Sequence, residues 1–206
     1  MAVLGAVARR IAARWGTRRG VCLLAALLAL LAMGGLGAAG AQPIVSSEYA
    51  VKAAFLYNFA KFVEWPAGAF PGPGEPVTFC ILGEDPFGGK LEQTVEGKTV
   101  KGRPVVVLHT GLDALGRCHI LFAGSSERPR FDRILAAVGR RPILTVGDDE
   151  PFRQAGGIIN FVLRESRVRF QIDRAAAERA GLKVSSQLLE LAEAVPPGGP
   201  AGKERD

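Results

Sequence analysis

A chain of 206 residues with a formal net charge of +6 suits one domain with a sizeable core. The basic excess is confined to one end: Arg9, Arg10, Arg14, Arg18 and Arg19 stand in the first 41 residues without an acid, and the remaining 165 residues hold 21 basic against 20 acidic side chains. So balanced a body excludes a nucleic-acid-binding role argued from charge.

The arginines precede a 13-residue apolar run at 21–33 and the small-residue triplet Ala39-Gly40-Ala41. This is the order of a secretory signal peptide, expected to be cleaved before Gln42. The run is shorter than the roughly 20 residues of a spanning helix, and Gly34, Gly35 and Gly37 break up the apolar pattern directly after it. A membrane anchor is the lesser alternative. Thr17-Arg18-Arg19-Gly20-Val21 leaves a twin-arginine route open beside the general one. Cys22 leaves with the signal, and the residues before it form no lipoprotein box. The mature domain, 42–195, is therefore expected to work outside the cytoplasm.

Two cysteines, Cys80 and Cys118, remain in a compartment that oxidises thiols. A bridge between them would stabilise by roughly 4 kcal/mol on the chain-entropy model. If their strands lie side by side with Gly83 level with Gly124, however, the cysteines stand three residues out of register. At about 3.3 Å per residue that is near 10 Å, beyond the limit of about 7 Å between bridged Cα atoms. A shifted register or a loop position for Cys118 restores the bridge, so the spacing leaves both outcomes open.

In chain order, Ser46 and Ser47 are expected to cap a helix at 48–65, where Val51, Phe55, Leu56, Phe59, Phe62 and Val63 recur at helical spacing up to Pro66. The Pro- and Gly-rich stretch 66–76 reads as a loop. Strands are expected at 77–82, 104–108, 119–123 and 143–146, with helices at 87–95 and 130–138 between them. Short all-apolar strands separated by helices imply a buried parallel sheet. Segments 158–163 and 168–172 lie close enough in sequence to form an antiparallel hairpin. Asp173 caps a short helix ending at Gly181, Ser185 or Ser186 opens a last helix, and 196–206 reads as a disordered tail. The fold class expected is an α/β three-layer sandwich with a mostly parallel sheet, an antiparallel edge hairpin and an additional N-terminal helix. Strand order is not readable.

Ligands of open α/β sheets favour the crevice beyond the carboxyl ends of the strands. Here that rim would carry Glu84 and Asp85, then Ser125, Ser126 and Glu127, then Asp148, Asp149 and Glu150. Helix capping is the plain reading of these acids and serines. A phosphoacceptor domain would need an aspartate where Ser125 stands, and Gly124-Ser125-Ser126-Glu127-Arg128 lacks the second glycine of a nucleophile elbow. No catalytic residue is assigned. His109 and His119 have no partner at metal-ligand spacing, and consecutive acids converge poorly on one cation, so neither metal nor cofactor is expected. Asn160, inside an apolar strand, must hydrogen-bond either backbone or a ligand. On the first helix Asn58, Lys61 and Trp65 share a face, while apolar side chains nearly all round imply burial on more than one side.

The segment Glu48-Tyr49-Ala50-Val51-Lys52-Ala53-Ala54-Phe55-Leu56-Tyr57-Asn58-Phe59-Ala60-Lys61-Phe62-Val63-Glu64-Trp65-Pro66 resembles the opening of the YfiR family of periplasmic regulatory proteins. Later stretches resemble it in the same order: Cys80-Ile81-Leu82-Gly83-Glu84-Asp85-Pro86-Phe87, Cys118-His119-Ile120-Leu121-Phe122, Leu144-Thr145-Val146-Gly147-Asp148, Gly156-Gly157-Ile158-Ile159-Asn160, Val168-Arg169-Phe170 and Gly181-Leu182-Lys183-Val184-Ser185-Ser186-Gln187-Leu188-Leu189. The resemblance implies a non-catalytic regulator that binds the periplasmic domain of an inner-membrane diguanylate cyclase and holds it inactive, lowering cyclic di-GMP and opposing biofilm growth. It also implies a homodimer and redox-sensitive cysteines, with Cys80 and Cys118 matching one family pair. A second pair found in some members has no counterpart here.

Contact residues for such a partner are expected at Tyr57, Asn58, Lys61 and Trp65. The competing expectation is a module that binds a small molecule in the strand-end crevice through Glu84, Ser125, Ser126, Asp148 and Asn160. The two can coexist.

Overall fold

The computed structural model describes residues 44–194. The expected export signal at 1–41 and the tail at 196–206 lie outside them. Helix α1 spans Ile44–Phe62, so it starts earlier and stops sooner than its apolar spacing predicts. Ser46 and Ser47 fall inside its first turn instead of ahead of it. Val63 leaves the helix because it pairs with Val184: the two-residue strands β1 (Val63–Glu64) and β9 (Lys183–Val184) form a small antiparallel sheet.

The main sheet has seven strands in the order β3-β4-β2-β5-β6-β7-β8. Its centre is parallel: β4 (Arg103–Thr110), β2 (Val77–Leu82), β5 (Ile120–Ala123), β6 (Leu144–Gly147) and β7 (Ile159–Arg164). The expected antiparallel hairpin closes one edge as β7 with β8 (Arg167–Ile172), and a short β3 (Thr99–Val100) folds back on β4 at the other. Glu165 and Ser166, at φ 48° and 60°, form the two-residue turn of the hairpin, a left-handed geometry that usually calls for Asn-Gly.

Alternation along the strands divides the interior in two. Phe79, Ile81, Ile120, Phe122, Leu144, Val146, Ile159 and Phe161 face one core with Ala53, Leu56, Phe59 and Ala60 of α1. Helix α2 (Lys90–Val95), α5 (Arg174–Arg179) and α6 (Ser186–Leu191) complete that layer. Cys80, Leu82, Leu121 and Ala123 face the opposite core, covered by the 3-10 turn Leu112–Arg117, α3 (Phe131–Val138) and α4 (Glu150–Gln154). The N-terminal helix is therefore an integral part of one outer layer. Phe59 stacks on Phe161 at 5.6 Å and meets Phe170 edge-on at 4.9 Å, and each such buried ring stabilises by roughly 1.5–3 kcal/mol. Asp173 and Ser185 cap α5 and α6 as their positions predict, accepting from the N–H groups of Ala176 and Leu188.

Helix α4 is absent from the sequence-based expectation. It forms because Phe152 drops onto two glycines: a Cβ at Gly147 or Gly157 would lie 2.3 Å or 2.0 Å from its ring.

The Cys80–Cys118 disulfide forms, with Cα atoms 5.7 Å apart. Strands β2 and β5 keep the register that argues against a bridge, Cys80 opposite Leu121 and Leu82 opposite Ala123. The bridge is made because Cys118 lies ahead of β5, at the end of the 3-10 turn.

Candidate functional site

Leu82, Ala123 and Gly147 are level across β2, β5 and β6, so the three loops beyond them meet at one end of the sheet. There Glu84, Ser125 and Ser126 line a cavity of about 270 Å³ with Asp85, Pro86, Gly124 and Tyr49 of α1. Gly83 takes φ +84° at the turn, and a Cβ there would meet the Glu127 carboxylate at 2.5 Å. Ser126 Oγ accepts from the Glu84 N–H at 3.2 Å, and Asp85 Oδ1 accepts from the Phe87 N–H at 2.8 Å.

Neither is the helix cap expected from sequence: the first ties two loops together, and the second is an Asx turn ahead of α2, whose N-cap Gly89 makes no side-chain bond. The other rim acids are held by cations: Glu127, nearly fully buried, takes both oxygens to Arg130 Nη2 at 2.7 and 2.6 Å, Asp149 pairs with Arg128, and Glu150 with Arg153.

Asp148 is the centre of a buried group. Lys52 Nζ donates to its Oδ2 at 2.8 Å and the Tyr49 hydroxyl donates to the same oxygen at 2.7 Å. Lys52 also meets Glu48 at 2.6 Å and lies 4.2 Å from the Tyr49 ring centroid. Burial first, then the Asp148 hydrogen bond and the nearby carboxylate charges, push the Tyr49 phenol well above its ordinary range. Tyr49 thus joins the buried group to the cavity. Neither Tyr49 nor Lys52 is among the residues expected from sequence, although a lysine one turn before Leu56 on a buried stripe signals a carboxylate partner.

Asn160 pairs with Gly147, so it is level with the rim, but its side chain alternates with Ile159 and Phe161 and points to the opposite face of the sheet from Asp148. Its Nδ2 donates to the Phe161 carbonyl, and its buried Oδ1 has no partner among the described residues.

The helical face built from Asn58, Lys61 and Trp65 is divided, because α1 ends at Phe62. Tyr57 donates to the Thr99 carbonyl and lies beneath Lys98 and Lys61, whereas Asn58 is half-buried and Lys61 exposed. Trp65 packs edge-on to Phe70 and His119, and its buried Nε1 has no partner among the described residues.

The histidines stand apart from the crevice. His109 is exposed near Glu92. His119 Nδ1 accepts from the Thr78 N–H at 3.1 Å, so the ring is neutral with its proton on Nε2, which faces the Ala69 carbonyl at 3.1 Å. Phe70 stacks on it at 4.3 Å, and Arg103 covers Phe70 while donating to the carbonyls of Gly72 and Glu75. His119 and Arg103 thereby pin the 66–76 loop. Burial, reinforced by Arg103 against the Ala69 carbonyl, holds the imidazole pKa below its ordinary value. The unfolded chain therefore binds a proton first, and stability present above about pH 6.5 drains away as the pH falls. Urea midpoints should drop between pH 7 and pH 5 in a His109→Ala background and drop less once His119→Gln is added. Equal slopes in the two proteins would refute the assignment.

Among the described residues no three of His, Cys, Asp and Glu converge as a metal site, and no helix is long and apolar enough to cross a membrane.

No curated protein matches the chain. Among solved structures, a conserved domain protein from Vibrio cholerae O1 biovar El Tor is similar at 10% identity and a TM-score of 0.49, over 68% of this chain and 58% of that one. A phosphoglycerate oxidoreductase from Rhizobium etli is similar at 14% identity and a TM-score of 0.33, over 71% and 66%. The chain thus spans less than two thirds of either structure's length. The YfiR/HmsC-like family model matches residues 49–193, well over half of the sequence. The protein belongs to the YfiR/HmsC-like family.

Proposed function

We propose that this protein is a periplasmic, non-catalytic regulator. Exported by a cleaved signal, it binds the periplasmic domain of an inner-membrane diguanylate cyclase and so modulates cyclic di-GMP signalling and biofilm growth. The observation that carries this reading is family membership across 49–193. The ion pairs at the crevice favour it too, since Asp148, Asp149 and Glu127 are each already paired with a cation of this chain. Such a regulator shifts its partner only by as much as it prefers one state of it.

The test is direct. With the full chain, signal included, co-expressed beside a cyclase from the same genome, cellular cyclic di-GMP should fall, and the purified mature protein should bind the purified cyclase ectodomain. Unchanged cyclic di-GMP together with no binding would sink the proposal. Homodimerisation belongs to the same proposal and is checked by sedimentation.

A second reading, a small-molecule site, draws support from the preformed cavity of about 270 Å³ between Glu84, Ser125 and Ser126. A metabolite that binds only the folded state raises the melting temperature. A flat response across a metabolite panel would leave regulation by protein contact alone.

A further inference from the structure

The first turns of α1 present an apolar side to solvent. Ala50, Val51 and Ala54 are exposed, Val51 at 44%, where a surface helix ordinarily carries charge. Beside them the β7–β8 hairpin projects beyond the level of Gly147 and Asn160, with Leu163 54% exposed. Between the two lies a groove of about 460 Å³ whose lining includes Val51, Phe55, Leu163, Val168, Arg167 and Arg169.

Its charge is unbalanced. The carboxylate that lines it, Glu48, is already held by Lys52 at 2.6 Å. Arg167 and Arg169 are exposed, and their side chains have no hydrogen-bond or ion-pair partner among the described residues. The sheet edge is open as well: no described strand pairs with the outer side of β8, and only Glu193 approaches it, donating from its N–H to the Phe170 carbonyl. Val168 and Phe170 turn towards α1, so alternation sends the Arg167 and Arg169 side chains to the other face of β8, and the two cations flank the groove at its rim. An apolar floor flanked by two unpaired cations and a strand edge fits a segment that carries carboxylates and apolar side chains together.

We infer that this groove docks an acidic, apolar-studded segment of a protein partner. On the function proposed above, that partner is the cyclase ectodomain, and the inference rests on that reading for the partner's identity only. A second copy of this chain is a poorer occupant, because an isologous contact would bring the same arginines together. A lipid surface is flat where this site is concave.

Two arms test the inference. In the first, the isotope-labelled mature protein is titrated with a short peptide alternating Leu and Glu, and with its Leu-Lys counterpart. The acidic peptide should shift amide resonances at 47–55 and 163–169, and the basic one should not. No shift there with the acidic peptide overturns the groove, whether or not a cyclase binds. In the second, ectodomain affinity should fall roughly tenfold or more for Val51→Glu with Leu163→Glu, and for Arg167→Glu with Arg169→Glu. The control Arg133→Glu on α3 with Arg140→Glu just beyond its end should bind as the unaltered protein does, and all three melting temperatures should be retained. If the unaltered protein fails to bind the ectodomain, the proposed function fails and the peptide arm alone decides the groove. Retained ectodomain affinity in both groove variants overturns the assignment. So does loss of a homodimer on sedimentation of Val51→Glu with Leu163→Glu, or Arg167- and Arg169-dependent binding to phosphatidylglycerol vesicles.

Discussion

Replacing the bridge by Cys80→Ala with Cys118→Ala is expected to lower the unfolding free energy by about 4 kcal/mol. The cysteines are 38 residues apart, and cutting a loop of that length returns its closure entropy to the unfolded chain. Against the roughly 5–15 kcal/mol that usually separates folded from unfolded protein, the loss is large. Burial adds a kinetic expectation. Cys80 is 1% exposed and Cys118 5%, both inside the core beneath α3 and α4. A reductant reaches such sulfurs only when that core opens. Dithiothreitol should therefore leave the native protein oxidised and reduce it quickly in urea. The redox-sensitive cysteines that the family resemblance implies would then respond through unfolding, and not as exposed sensors. Thiol labelling within minutes under native conditions, or a urea midpoint unchanged in the double variant, would refute this account.

The bridge also illustrates what sequence can and cannot reveal. Once β2 and β5 are taken as neighbours, which strand order alone decides, their register was legible, because Gly83 and Gly124 mark the ends of two apolar runs. The escape of Cys118 into a preceding turn was not, since Leu112–Arg117 carries no periodic signal. Strands 77–82 and 119–123 were legible as buried, the second starting one residue later than expected, at Ile120. Which of their residues face α1, and which face α3 and α4, depends on how helices are laid over a sheet, and a one-dimensional pattern does not encode that. Two-residue strands such as β1 and β9 show no period at all, and Val63 satisfies a helical stripe as well as its actual pairing with Val184. At the crevice, the rim residues Glu84, Ser125 and Ser126 were legible from strand ends alone. Tyr49 required the crossing of α1, and Asn160 fell on the far face once that crossing was known.

The largest electrostatic effect should come from Lys52→Met, expected to cost about 3–5 kcal/mol. The Lys52 and Asp148 side chains are 6% and 4% exposed, so the pair gains little from water and much from each other. Removing the cation leaves Asp148 in the interior with the Tyr49 hydroxyl as its one remaining side-chain donor among the described residues, where its Oδ1 already lacks a partner. An uncompensated buried charge, rather than lost attraction, dominates that cost. Lys52→Met with Asp148→Asn should therefore recover part of the stability that Lys52→Met alone loses, with a coupling of about 0.5–3 kcal/mol in the cycle. Urea unfolding of the four proteins measures it, and a loss below about 1 kcal/mol for Lys52→Met would mean the pair behaves as a solvent-screened one. The consequence reaches the surface. Lys52 ties the opening of α1 to the end of β6, and its neighbours Val51 and Phe55 form one wall of the groove. Weakened ectodomain binding in Lys52→Met should thus track its loss of stability and return with Asp148→Asn, whereas Leu163→Glu, on the opposite wall, should weaken binding with the fold intact.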